Sequence, residues 1–342
     1  MMSETAPETT PDIGRIEAAA GRIRGVARRT PMLSDPLLDR IAGRRILVKA
    51  ECLQVTGSFK FRGAWSAVSA LVAAGRARGV LAMSSGNHAQ GVALAAARHG
   101  LAAVIVMPAD APEAKIGNTR ALGAEVVLYD RQREDRDAIG AALAAERDLA
   151  IVRPFDDAEV IAGQGTAGLE IAEDAAAAGI LEAPVLVCCG GGGLASGIAL
   201  ALAARAPGLR VQTCEPEGFD DTARSLAAGT RLGNAPGART LCDAIVTPAP
   251  GLMTFPILAR LAGPGIAMPD EACLDAMALA WRHLRIVLEP GGAVALAAAL
   301  FRPDLAPGPA VIAVATGGNV DPPVYARAMA RLDDPAFFPI PA

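Results

Sequence analysis

Short apolar runs alternate along the chain with longer segments whose apolar positions recur every three to four residues. The runs lie at 46–49, 80–83, 103–107, 125–129, 185–189, 210–214 and 310–315. Their length and branched aliphatic content suit strands covered on both faces. Ala-rich segments at 89–98, 138–146, 166–177, 194–204, 271–283 and 292–301 carry the 3.6-residue period of helices. Repeated strand–helix alternation predicts an α/β fold of parallel sheets flanked by helices, with ligands beyond the carboxyl ends of the strands. Loops that follow strands are therefore the places to look for chemistry. Residues 1–11 (MMSETAPETTP) are polar and rich in Pro and Thr, which predicts a disordered tail. The Pro/Gly-rich stretches 233–239 and 247–251 read as surface loops, and no internal repeat is visible.

At 342 residues the chain has the length of about two domains. Apolar residues reach 52% but aromatic ones only 4%, so the core must be built from Ala, Val, Leu and Ile, and disorder and collagen-like repeats are excluded. Lys and Arg number 32 against 36 Asp and Glu, a net charge of −4. The basic pairs Arg28-Arg29 and Arg44-Arg45 are too short to neutralise a phosphate backbone, so no nucleic-acid partner is expected. Six cysteines (Cys52, Cys188, Cys189, Cys214, Cys242, Cys273) show no CxxC spacing, and no cationic-plus-apolar leader precedes the fold; a cytoplasmic location is expected. Residues 184–204 carry no charge over a length that could span a bilayer. Four consecutive glycines at their centre would break such a helix, so a strand, a turn and a helix are expected there, with no membrane partner.

Four strand-to-helix junctions carry candidate chemistry. The first reads Thr56-Gly57-Ser58-Phe59-Lys60-Phe61-Arg62-Gly63. A lysine between two phenylalanines can lose solvation, which lowers its pKa and makes its amine nucleophilic. A lysine reaching back to water is the plainer alternative, and the spacing is not that of a P-loop. The second, Ser84-Ser85-Gly86-Asn87-His88-Ala89-Gln90-Gly91, sets hydroxyls, an amide and free N–H groups at a helix start, which makes either a carboxylate site or an ordinary N-cap. The three histidines (His88, His99, His283) show no metal-ligand spacing. In the third, Cys189-Gly190-Gly191-Gly192-Gly193-Leu194, backbone amides can curl around a phosphate without Cβ interference. Gly190-x-Gly192-x-x-Ala195 also fits the dinucleotide fingerprint, with Glu215 about where a ribose-binding acid belongs, so an NAD-dependent oxidoreductase stays open here. The fourth, Thr316-Gly317-Gly318-Asn319, permits close approach to a planar ligand or simply turns the chain.

A reactive lysine, a phosphate cradle and a carboxylate site are the parts of a pyridoxal-phosphate enzyme acting on amino acids. The four motifs, with Val160-Ile161-Ala162-Gly163-Gln164-Gly165-Thr166 and Leu288-Glu289-Pro290-Gly291-Gly292-Ala293, make residues 13–331 closely resemble the fold-type-II pyridoxal-phosphate family. Within it the chain is similar to the serine/threonine dehydratase (threonine ammonia-lyase) and serine racemase branch. The resemblance implies a tryptophan synthase β-like fold of two parallel-sheet α/β domains with the cofactor in the cleft between them. Residues 12–63 and 154–342 would form the large, discontinuous domain, 64–153 a small inserted one, and two copies a homodimer. It further implies Lys60 as the Schiff-base lysine, Phe59 beside the ring, Asn87 on the 3-hydroxyl, Gly190, Gly191, Gly192, Gly193 and the Leu194 amide around the phosphate, and Thr316 at the pyridine nitrogen. Ser84, Ser85, Asn87 and His88 would bind substrate, and Glu215, the Phe219 carbonyl and Asp221 match the spacing of the family's site for Mg²⁺, Mn²⁺ or Ca²⁺; oxygen ligands suit hard cations.

The activity implied is dehydration and deamination of L-threonine, L-serine or both to a 2-oxo acid and ammonia. A neutral hydroxyl at Thr316 leaves the ring a milder electron sink, which favours β-elimination. Ser85 resembles the second acid/base of racemases, so serine racemisation is an alternative, as is threo-3-hydroxyaspartate dehydration; NAD-dependent chemistry is more distant. His88 stands where β-replacement synthases usually carry Thr. The chain stops soon after Asp334, so a fused regulatory domain like that of longer threonine dehydratases is not expected.

Overall fold

Two parallel-stranded sheets organise the chain in a computed structural model that describes residues 10–111, 113–334 and 337. Apart from Thr10 and Pro11, the expected tail lies outside the described residues. The strands are β1 (Met32–Leu33), β2 (Arg45–Lys49), β3 (Gly79–Met83), β4 (Ala102–Pro108), β5 (Glu125–Tyr129), β6 (Ala150–Ile151), β7 (Ala183–Cys188), β8 (Leu209–Pro216), β9 (Ile266–Met268) and β10 (Ala310–Val314). One sheet has the order β1-β2-β10-β7-β8-β9 and the other β5-β4-β3-β6. Among the strands of the described residues, only the β1–β2 pairing is antiparallel. Every run expected to be a strand is one. The three added strands have two or three residues each, too few to show a period.

Both faces of the six-stranded sheet are covered. Along β7, Val185 and Val187 enter one buried cluster while Leu186 and Cys188 enter another, the two-residue alternation of a strand. The helix Pro290–Phe301 (PGGAVALAAALF) lies against the second face and is buried on nearly every side, which is why its sequence is apolar all round. No helix among the described residues is long and apolar enough to cross a membrane; residues 184–204 are divided between β7, the glycine turn and the helix Gly193–Arg205.

The helix expected at 166–177 begins earlier, at Ala158, capped by Asp157. Its glycines serve contacts with neighbouring helices: a Cβ on Gly163 would lie 2.6 Å from the Arg62 carbonyl, and one on Gly165 would lie 2.9 Å from the Gly197 carbonyl. Only small residues allow backbones to approach this closely. The same contact seats the helix Lys60–Ala73, which opens at the candidate lysine. At the other end, the helix expected over 271–283 stops at Leu279 and continues as a single π turn, Ala280–Leu284, before Arg285 takes a left-handed conformation.

Candidate active site

The chain holds three lysines, and the structure separates them by environment. Lys49 is wholly buried in an ion cluster, 2.7 Å from Glu170 and 3.2 Å from Asp174. Lys115 pairs with Asp243 at 2.9 Å. Lys60 has no such partner: its Nζ donates to the Pro154 carbonyl at 2.9 Å and sits 5.1 Å from the Phe59 ring centroid. Burial pushes its pKa down to about 8, against a smaller opposing pull from the charge of Glu289. A neutral amine is thus accessible near neutrality, as nucleophilic chemistry requires.

Contacts from distant segments fix the lysine loop. Ser58 bridges to Gly317, and the Phe59 amide donates to the Thr316 carbonyl at 3.1 Å. The loop after β10 is therefore joined to the start of the lysine helix. Arg62, two residues after Lys60 and fully buried, makes a two-pronged contact with Glu51 at 2.8 Å and another with Glu170 at 2.7 and 2.9 Å. These pairs tie the helix to the end of β2 and to the helix Ala158–Ala177.

Gly190 to Gly193 turn the chain from β7 into the helix Gly193–Arg205. Gly192, the N-cap, adopts φ +89°, a left-handed conformation that glycine takes without strain. A Cβ on Gly191 would overlap the Phe155 ring, and one on Gly190 would lie 3.2 Å from Ile245. The first intrahelical bond runs from the Ser196 amide to the Gly192 carbonyl at 2.8 Å, so the Gly193, Leu194 and Ala195 amides precede the helical ladder. Such amides, with the helix dipole, suit a phosphate.

The loop after β3 supplies the second wall. Asn87 opens the helix Asn87–Arg98; its Nδ2 donates to Glu289 Oε1 at 2.6 Å and its Oδ1 accepts from Asn319 Nδ2 at 2.7 Å. The Ser84 hydroxyl accepts from the Gly86 amide at 3.3 Å, and Ser85, half-buried, lies between them. His88 is buried, with Nε2 2.9 Å from the Val152 carbonyl; burial, then the charge of Lys60, pushes its pKa down to about 3. The ring is therefore neutral, with its proton on Nε2, and its buried Nδ1 is an acceptor without a partner. Thr316, nearly buried at the end of β10, shares a hydrogen bond with the Cys188 thiol, whose pKa burial pushes up to about 12.

Lys60, Asn87, Thr316 and the glycine turn are thus linked: the Pro154 carbonyl that Lys60 bonds lies 4.0 Å from a Cβ built on Gly193, the Phe59 amide bonds Thr316, and Asn87 bonds Glu289, whose charge acts on Lys60. Glu289 and Asn319 lie in quoted motifs, yet the sequence assigned them no role. Glu289-Pro290 reads as a helix start, and nothing local shows that its carboxyl group turns toward a residue 202 positions away.

Glu215 and Asp221 lie near Cys189, whose thiol is 3.5 Å from the Thr222 hydroxyl. Both Glu215 oxygens accept backbone amides, from Thr222 at 2.9 Å and Ala223 at 2.7 Å, a helix-capping role that spacing did not disclose. Burial, then the charge of Asp221, raises the Glu215 pKa to about 8; burial raises that of Asp221 to about 6. Asp221 Oδ1 accepts from Asn234 while Oδ2 is buried without a partner. No group of three or more His, Cys, Asp or Glu converges among the described residues. Asp221 Oδ2 is the one oxygen of the Glu215–Asp221 pair left without a partner, and an oxygen donor suits a hard cation.

A family model described as pyridoxal-phosphate dependent enzyme matches residues 23–317. The L-threo-3-hydroxyaspartate ammonia-lyase of a Pseudomonas species is 42% identical over 308 residues, 90% of this chain and 95% of that one. The L-threonine ammonia-lyase of Thermotoga maritima is 39% identical, covering 90% of this chain and 75% of its own. The solved structure of maize serine racemase superposes with a TM-score of 0.87 at 34% identity, covering 95% of this chain and 98% of that one.

Proposed function

The chain belongs to the pyridoxal-phosphate dependent enzymes, and from that premise we propose that it is an ammonia-lyase converting a β-hydroxy amino acid to a 2-oxo acid and ammonia. One observation carries the reading: of three lysines, only Lys60 is held as an unpaired, desolvated amine, and it lies beside a glycine cradle and a neutral Thr316 hydroxyl. The candidate substrates are L-serine, L-threonine and L-threo-3-hydroxyaspartate, the last named for the Pseudomonas relative.

The residues fit the cofactor. Gly190 to Gly193 leave no room for side chains, and the first-turn amides would hold the phosphate. Thr316 would meet the ring nitrogen with a hydroxyl and Asn87 the 3-oxygen, with Phe59 alongside. Bound pyridoxal phosphate would supply a carbonyl carbon for amine exchange and a ring that accepts electron density from Cα. Lys60 would attach the cofactor and, once displaced by the substrate amine, take the Cα proton on Nζ; a pKa near 8 suits both tasks. Ser84, Ser85, the Asn87 backbone N–H and the adjacent amides would bind the substrate carboxylate, and the neutral His88 would offer Nδ1 as an acceptor. Thr316, unlike a carboxylate, would not hold the ring nitrogen protonated, which would suit loss of the β-hydroxyl. Glu215, Asp221 and the Phe219 carbonyl would hold a divalent cation. The reading divides the chain into a large domain (12–63 and 154–342) and a small one (64–153), after the two sheets, and takes the working form to be a cytoplasmic homodimer.

The test incubates the holoenzyme separately with the three amino acids and follows keto acid and ammonia. Equimolar keto acid and ammonia from at least one, lost in Lys60→Ala, is the expected result. Ser85, a hydroxyl on the substrate loop, supports racemisation as a second reading. Predominant D-serine from L-serine, lost in Ser85→Ala while pyruvate persists, would put that reading first.

A further inference from the structure

The hydrogen bonds around Asn87 have a direction that the side chains themselves impose. Asn319 Nδ2 donates one proton to the Thr56 carbonyl at 2.8 Å and the other to Asn87 Oδ1 at 2.7 Å. A backbone carbonyl only accepts, so the nitrogen of Asn319 faces Thr56, and the atom of Asn87 facing Asn319 must be its oxygen. Asn87 Nδ2 is thereby turned to Glu289 Oε1, 2.6 Å away, which accepts one of its two protons. Glu289 is 4% exposed. It occupies the N-cap position of the helix Pro290–Phe301 without using its side chain as a cap; the carboxyl group is directed to Asn87 instead.

The surrounding backbone is shaped to admit this arrangement. A Cβ on Gly317 would overlap Glu289 Oε1 and come within 3.2 Å of Asn87 Nδ2, and one on Gly57 would lie 2.5 Å from Asn319 Oδ1. The Glu289 amide donates to the Gly317 carbonyl at 3.0 Å, which fixes the carboxyl-bearing backbone against the loop after β10. Two glycines from separate motifs, Gly57 beside Lys60 and Gly317 beside Thr316, thus make room for Asn319 and Glu289.

We propose that Glu289 and Asn319 are positioning residues that lock the Asn87 amide with its remaining N–H toward the cofactor's 3-oxygen. This rests on the pyridoxal-phosphate reading of the site and adds the pair that sets the polarity of its ring contact. A donor held there stabilises the ionised 3-oxygen. A flipped amide would present an acceptor and favour the protonated one, so the cofactor's absorption bands report the orientation directly.

The test titrates apoprotein with pyridoxal phosphate and records affinity, the ratio of long- to short-wavelength cofactor bands against pH, circular dichroism and melting temperature. Loss of the acceptor that orients Asn87 is expected in Glu289→Ala to weaken cofactor binding about tenfold, about 1.4 kcal/mol, and to shift the band ratio. Asn319→Asp, which cannot donate from its carboxylate, is expected to shift the ratio in the same direction. Glu289→Gln keeps an acceptor oxygen and is expected to restore wild-type bands. A role confined to stability would lower melting temperature with affinity and bands unmoved; that result, or Asn319→Asp bands like wild type, overturns the proposal. Should Glu289→Ala fail to fold, the contrast between Asn319→Asp and Glu289→Gln decides alone. Wild-type protein that takes up no pyridoxal phosphate overturns the cofactor reading as well; wild type that binds it while the variants bind equally overturns only this inference.

Discussion

Lys60 acquires its chemistry from burial. Because its pKa is depressed to about 8, the neutral amine fraction grows as pH rises through that value and then levels off. The rate at which apoprotein captures pyridoxal phosphate should follow the same curve, measured by stopped-flow absorbance; a rate still climbing toward the ordinary lysine pKa would show a solvated amine. The junctions that hold the lysine, Asn87 and Thr316 were legible because each follows a strand in a short motif of small residues. The contacts of Glu289 and Asn319 were not, since their partners, Asn87 and Thr56, come from other segments.

At the level of elements, what places the lysine is a buried ionic joint. Arg62 joins the helix Lys60–Ala73 to Glu51 and Glu170, with both Arg62 and Glu51 fully buried. Removing one member of such a group leaves the others desolvated and uncompensated, at a cost of about 3–5 kcal/mol. Arg62→Met should lower the urea midpoint accordingly and weaken pyridoxal phosphate binding, whereas a variant with unchanged stability would show that the joint bears little of the fold. The strands with long apolar runs were readable from period and length. The helix Ala158–Ala177 was read short because Gly163 and Gly165 count as helix breakers locally, although the fold uses them for close contact with neighbouring backbones. Strands of two or three residues, such as β1 and β6, owe their form to neighbours and leave no signal of their own.

Across the whole molecule, several buried acids act against the fold as pH rises. Glu289, Glu215 and Asp221 have folded pKa values raised to about 7, 8 and 6. An acid with a raised folded pKa binds its proton more tightly in the native state, so its stabilising effect is present at low pH and is lost as pH climbs to the folded value. The apoprotein should therefore melt lower at about pH 8 than at about pH 5. A divalent cation at Glu215 and Asp221 should raise the melting temperature more at the higher pH, and Asp221→Ala should abolish that gain. A cation effect independent of pH and of Asp221 would remove the site. Borohydride reduction of the holoenzyme followed by peptide mass mapping identifies which of the three lysines carries the cofactor. A pyridoxyl adduct on Lys60 alone is expected; an adduct on Lys49 or Lys115, or none on any lysine, would overturn the assignment of Lys60.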